Sequence, residues 1–335
     1  MDYDVFQLGD VTLQSGEVLK DARLAFKTYG TLTTRKDNVV VLPTFMTGTH
    51  RRNEGFFGHG RAIDPARHFV VSVNMFGNGI STSPTIAHHS QLGALFPNVT
   101  LHDNVRCQFR FLTERFGISS ITLVAGWSLA GCQAFEWAAQ YPQFVKAILP
   151  ICASAKVSPH NFVFLEGIKA ALLADPAWDD GTYVSPPIRG LKAFARVYAG
   201  WAYSQEFYRD KHYRALGYQS IEQLLVDWED DHVANWDAND LLAKIWSWQH
   251  CDISANPTYR GDFRAALGAI EARTIVISCQ QDLYFTPEDN RLEVLEMRNA
   301  QLCVFDSPFG HCVASPGNDQ LFERYLDEKI ADLIT

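Results

Sequence analysis

Nowhere in the 335 residues do about 18 apolar side chains follow one another, the length a helix needs to cross a bilayer, so no membrane-spanning helix is expected. Basic residues are the minority. Twenty-nine Lys and Arg stand against 38 Asp and Glu, a net charge of −9, which argues against the positive surface that nucleic acid binding requires. The seven cysteines, at 107, 132, 152, 251, 279, 303 and 312, form no C-x-x-C pair and lie mostly in apolar stretches, so they read as reduced core residues. H-E-x-x-H is missing as well, and neither a metal nor a cofactor is expected. The acidic group Glu229-Asp230-Asp231-His232 reads as a solvated helix face. Gly77-Asn78-Gly79 follows a strand-like run, but Thr82 stands where a dinucleotide loop needs its third glycine, and that fingerprint fails. The opening Met1-Asp2-Tyr3-Asp4 is acidic where a secretory signal is basic, so a cytoplasmic location is expected.

What the chain does contain is a strand, a sharp turn and a helix written around one serine. The β-branched run Ile121-Thr122-Leu123-Val124 leads into Gly126-Trp127-Ser128-Leu129-Ala130-Gly131, and a helical pattern follows from Cys132 to Tyr141. Such a turn lifts Ser128 into the open at the end of a sheet strand, and it needs small residues two positions either side of the serine. Gly126 and Ala130 meet that need, with Ala where Gly is usual.

A serine hydroxyl is a weak nucleophile until an imidazole takes its proton, and the imidazole needs a carboxylate to fix its tautomer. In this architecture acid and histidine follow the serine in that order. Asp282 lies just past the strand-like run Thr274 to Cys279, and His311 follows the next one, Gln301 to Phe305, in a Pro- and Gly-containing loop. Asp282 is the expected orienting acid and His311 the expected base, with Asp306 and Asp289 as rivals for the acid. The oxyanion formed on attack needs two backbone donors. Leu129, after the nucleophile, supplies one, and Met46, in the loop Thr44 to Gly48 after an early strand, is the favoured second.

With 47% hydrophobic residues the chain can bury a large core. Strand-like segments near 5–13, 22–29, 38–44, 68–75, 121–126, 145–151, 274–279 and 301–306 alternate with helical ones near 103–116, 130–140, 288–298 and 318–332. That alternation predicts an α/β fold with a mostly parallel sheet of about eight strands. It breaks between 155 and 262, where amphipathic helices rich in Trp and Tyr are expected to form a cap, leaving 1–154 and 263–335 as the core. Aromatics such as Trp201, Tyr203, Phe207, Tyr208, Trp236, Trp246 and Trp248 wall an acyl pocket or pack as core, and their excess suits a homodimer contact through the cap.

Taken together, these residues resemble the homoserine O-acetyltransferase group of α/β-hydrolase-fold proteins, over nearly the whole chain. The likeness rests on Thr47-Gly48, on Gly60 to Asp64 leading into His68 to Val71, on Ser128 to Gly131 with Gln133 to Trp137, on Asp237-Ala238-Asn239, and on Asp306 to His311. It implies the α/β-hydrolase fold with an inserted cap, Ser128, Asp282 and His311 as a triad, dimerisation through the cap, and a cap arginine, Arg196, near the acceptor site. Arg196 either meets a substrate carboxylate or pairs with cap acids; Arg51 and Arg52 are ambiguous in the same way. Trp127 and Cys312 are further candidates for substrate contact.

One departure bears on function. The acetyltransferases follow the catalytic histidine with an aspartate that contacts the amino-acid substrate, and here that position is Cys312. A charge-assisted hydrogen bond is worth about 1.5–3 kcal/mol, so losing it weakens capture of an amino-acid acceptor and leaves water to discharge the acyl-serine. The expectation is therefore a serine esterase acting on short-chain acyl esters, acetates above all. An acetyltransferase using acetyl-CoA and homoserine is the alternative.

Overall fold

The computed structural model describes residues 2–334; Met1, part of the acidic opening noted above, and Thr335 lie outside it. Among the described residues eight strands form one sheet in the order β1-β2-β4-β3-β5-β6-β7-β8. The first two, β1 (Asp4–Thr12) and β2 (Val18–Tyr29), make an antiparallel edge, with β2 antiparallel to β4 (Phe69–Val73). All later pairings, through β3 (Val39–Pro43), β5 (Leu123–Trp127), β6 (Ala147–Ile151), β7 (Arg273–Cys279) and β8 (Ala300–Phe305), are parallel. Strands β3 to β6 are five residues each and buried throughout, as continuous apolar runs covered on both faces must be.

The covering helices are α1 (Leu101–Phe116), α2 (Leu129–Gln140), then α3 (Pro159–Leu173), α4 (Ile188–Ala202), α5 (Ile221–Asn235) and α6 (Ala238–Gln249), and finally α7 (Pro287–Glu296) and α8 (Gln320–Ile334). Helix α1 begins where Thr100 and Asp103 satisfy each other's backbone amides in a capping box, and it ends at Gly117, whose φ of 60° turns the chain out. Helices α3 to α6 all fall between β6 and β7. An isolated bridge between Lys156 and Asp252, reinforced by their ion pair at 2.8 Å, joins the two chain segments at the base of this helical insertion.

Strand order decides where a site can form. Chain order runs outward from β3 to β4 on one side and then resumes at β5 on the other, so the loops leaving β3 and β5 diverge and open a crevice at the carboxyl ends of the strands. Thr44 to Gly48 leaves β3 there, and Ser128 leaves β5 there. The segments after β7 and β8, carrying Asp282 and His311, emerge at the same end of the sheet.

The expected acidic face at Glu229 to His232 is corrected by the packing. Glu229 and His232 turn inward on α5, and only Asp230 and Asp231 are exposed. The Gly77-Asn78-Gly79 loop also finds its reason: both glycines have φ near +80°, and a Cβ on them would press at 3.2 Å on Lys244 and Asp240 of α6. Close approach of the inserted helix, rather than a phosphate, requires them.

Candidate active site

Ser128 sits between β5 and α2 with φ 60° and ψ −131°, a conformation that costs a non-glycine residue about 1–3 kcal/mol. Its neighbours hold it there. The Ser128 amide donates to the Ile151 carbonyl at 2.8 Å, and the Ser128 carbonyl accepts from Gly131 at 2.8 Å and Cys132 at 3.1 Å. A Cβ on Gly126 would lie 2.6 Å from the Cβ of Ala130, which is why this position carries none.

Asp282 and His311 meet across the ends of β7 and β8. His311 Nδ1 is 2.8 Å from Asp282 Oδ2, with both side chains buried. The other carboxylate oxygen accepts the amides of Tyr284 at 2.7 Å and Phe285 at 3.2 Å, so the acid is fixed by its own loop. Donating to Asp282 Oδ2, His311 Nδ1 carries the proton and leaves Nε2 as the basic nitrogen. The imidazole packs against Tyr284, ring centroids 4.4 Å apart, and near Trp127 at 5.4 Å. Trp127 Nε1 also donates to the His311 carbonyl at 3.0 Å, tying the residue before the serine to the histidine loop. The rival acids are engaged elsewhere: Asp306 accepts from Gln281 Nε2, and Asp289 accepts from Thr286 Oγ1 at the start of α7.

Ser128, His311, Trp127 and Cys312 line one cavity of about 330 Å³ that runs between the sheet ends and the inserted helices. Leu129 opens α2, so its amide has no acceptor within the helix and is free to serve the cavity. On the opposite wall Phe45 and Thr47 line the cavity on either side of Met46. The thiol of Cys312 is pushed up to about 12, chiefly by burial, and stays neutral at any working pH. Cys152 lies against Asp282 and is likewise held protonated by burial and by that carboxylate. Cys152, Asp282 and His311 crowd within 4.8 Å, yet the carboxylate is already committed to imidazole and amides, so the trio is not a prepared metal-ligand set.

Arg196 is the sequence candidate that the structure moves elsewhere. It does not line the cavity; its guanidinium is held by Glu229 and by Glu222 at 2.7 Å, both on α5. The packing of α4 on α5 sets both carboxylates against it. Arg52, left ambiguous by sequence, does reach the cavity, donating to Ser315 Oγ at 3.1 Å and lying over the Phe45 ring. The far wall comes from residues that carried no sequence signal, Tyr218, Asp227 and Trp228, where Tyr218 donates to Asp227 at 2.6 Å.

Residues 37–315 match the α/β hydrolase fold family. The chain belongs to that family. It is 34% identical to an ethyl acetate hydrolase of Pseudomonas veronii, the match covering 99% of this chain and 95% of that protein. It is 32% identical to a homoserine O-acetyltransferase of Nostoc punctiforme, over 89% of this chain and 88% of the other. The crystal structure of an acetylester hydrolase from Corynebacterium glutamicum superposes with a TM-score of 0.95 at 33% identity, over 99% of this chain and 95% of that one. The resemblance read from the motifs thus holds over nearly the whole chain, and the similar proteins include both ester hydrolases and acetyltransferases. No helix among the described residues is long and apolar enough to cross a membrane.

Proposed function

We propose that the protein is a serine esterase that hydrolyses acetate esters of small alcohols. The observation that carries this reading is the nucleophile-turn serine, Ser128, opening into the same cavity as an imidazole held 2.8 Å from a buried carboxylate. Ser128 Oγ attacks the acyl carbon while His311 Nε2 takes its proton. Collapse of the tetrahedral intermediate breaks the bond to the alkoxy oxygen, which leaves as the alcohol with that proton. Water then repeats the sequence on the acyl-serine, its proton passing to His311 and then to the departing Ser128 Oγ, and acetate is released. The amides of Leu129 and Met46 stabilise the oxyanion in both halves.

Hydrolysis is favoured over transfer by Cys312: a neutral buried thiol gives an amino-acid ammonium no counter-charge. A cavity near the lower end of the usual range for ligand sites suits a small ester. The test is release of acetate from ethyl acetate and p-nitrophenyl acetate without any acceptor, and its loss in Ser128→Ala by about 10⁵-fold or more. Homoserine-dependent consumption of acetyl-CoA with negligible ester hydrolysis would overturn the reading. The same proposal includes a cytoplasmic location, suited to seven buried thiols, and a homodimer through the inserted helices, where Phe162, Val163 and Ile188 are exposed. Sedimentation equilibrium at micromolar protein tests the dimer; a monomer rejects it.

A further inference from the structure

Lys244, on α6 of the insertion, has no exposed surface. Its ammonium donates to the carbonyl of Met46 at 2.5 Å and sits 3.9 Å from the centre of the Trp236 ring. Among the described residues no carboxylate lies within ion-pair distance of it. Asp240, one turn earlier on α6, acts on it at longer range while its own oxygens accept the Thr85 amide at 3.1 Å and hydroxyl at 2.8 Å. His232 of α5 also feels the charge of Lys244, weakly beside its own burial. Burial without a paired anion drives the lysine downward from its ordinary value, so this ammonium is a cost to the fold. A methionine would fill the same space without that cost.

What the ammonium holds is informative. Met46 is the proposed second oxyanion donor, and its N–H belongs to the peptide plane whose carbonyl is that of Phe45. That carbonyl is fixed by the Gly48 amide at 3.2 Å. The next plane, which pairs the Met46 carbonyl with the Thr47 N–H, is fixed by Lys244. With both planes flanking the Met46 α-carbon restrained, its amide has one direction left in which to point. Lys244 itself does not line the catalytic cavity and touches no reacting atom.

We propose that Lys244 is a positioning residue for ester hydrolysis: by gripping the Met46 carbonyl it aims the Met46 amide at the developing oxyanion on the Ser128 adduct. This rests on the esterase reading above. An interaction made only with the oxyanion lowers the barrier without tightening substrate binding, so its loss reduces kcat and leaves KM.

The experiment compares wild type with Lys244→Met and with the double variant Asp240→Asn/Lys244→Met, which removes the remote charge along with the lysine. Both are expected to lose between about 10- and 100-fold in kcat for p-nitrophenyl acetate at unchanged KM. Affinity for an alkyl trifluoromethyl ketone, which forms a tetrahedral oxyanion on the serine, falls by the same factor. Thermal midpoint in the double variant stays level or rises, which separates this loss from unfolding. Wild-type kcat in either folded variant, a rise in KM that accounts for the loss, or unchanged ketone affinity would each reject the proposal. A wild-type protein inert toward the ester rejects the esterase reading itself, and the inference with it.

Discussion

Asp282 holds His311 through one carboxylate oxygen and its own loop through the other, so a single side chain sets both the tautomer of the base and the position of the strand end that carries it. Replacing it with asparagine keeps the shape and reverses the donor pattern at the contact. Asp282→Asn is expected to lower kcat for p-nitrophenyl acetate about 10⁴-fold with little change in fold, because His311 Nε2 then carries the proton and cannot accept one from Ser128. Steady-state kinetics beside a thermal melt check this, and a kcat within tenfold of wild type would reject it.

Cys312 stands where the resemblance to the acetyltransferases implies an aspartate. With the thiol kept neutral by burial, wild type is expected to consume acetyl-CoA no faster when homoserine is added. Cys312→Asp is expected to raise homoserine-dependent release of CoA by about one to two decades, the value of one charge-assisted hydrogen bond. A thiol assay of CoA with and without homoserine reads it directly; equal rates in the variant would show that the acceptor is selected elsewhere.

Arg196 joins α4 to α5 at a site 39% exposed. Solvent screens such a pair, so Arg196→Gln is expected to cost about 1 kcal/mol or less in urea unfolding and to leave kcat/KM for acetate esters within about twofold. A large rise in KM would return this arginine to the substrate.

Glu293 is buried on α7, bonded to the Ala155 amide at 2.8 Å and to Asn290 at 2.8 Å. Burial raises its carboxyl from 4.5 to about 8. The folded protein therefore retains a proton that the unfolded chain releases above pH 4.5. Its stability contribution is full below pH 4.5 and is lost as pH rises through about 8. In Glu293→Gln the group no longer titrates, so the difference in urea midpoint between wild type and variant is expected to shift against wild type from pH 5 to pH 8. A pH-independent difference would contradict the assignment.

Much of this was legible in the chain because it is written in local patterns. Unbroken apolar runs such as Val39 to Leu42 and Leu123 to Val124 marked strands buried on both faces, and all eight expected strands formed within a few residues of their predicted bounds. The turn at Ser128 declared itself through the spacing of Gly126 and Ala130. Asp282 and His311 followed because loops after parallel strands share one end of the sheet.

Side chains whose roles depend on which helices meet left no such mark. Arg196 reads the same whether its partner is a substrate or Glu229, and only the packing of α4 on α5 decides. Glu229 to His232 reads as one polar patch, although the helical period sends Glu229 and His232 inward and leaves Asp230 and Asp231 outside. Lys244, a lone lysine in an amphipathic helix, looks like any solvated cation. The glycines at 77 and 79 came nearest to a signal, for they mark the place where something approaches the backbone closely without saying what.

The Lys244 contact with Met46 spans two parts of the molecule that the chain visits almost 200 residues apart. Any displacement of α6 that carries the lysine away from the sheet has to release the Met46 carbonyl in the same movement. Because α6 contributes no residue to the catalytic cavity, such a movement would slacken the Met46 loop while leaving the walls around Ser128 as they are.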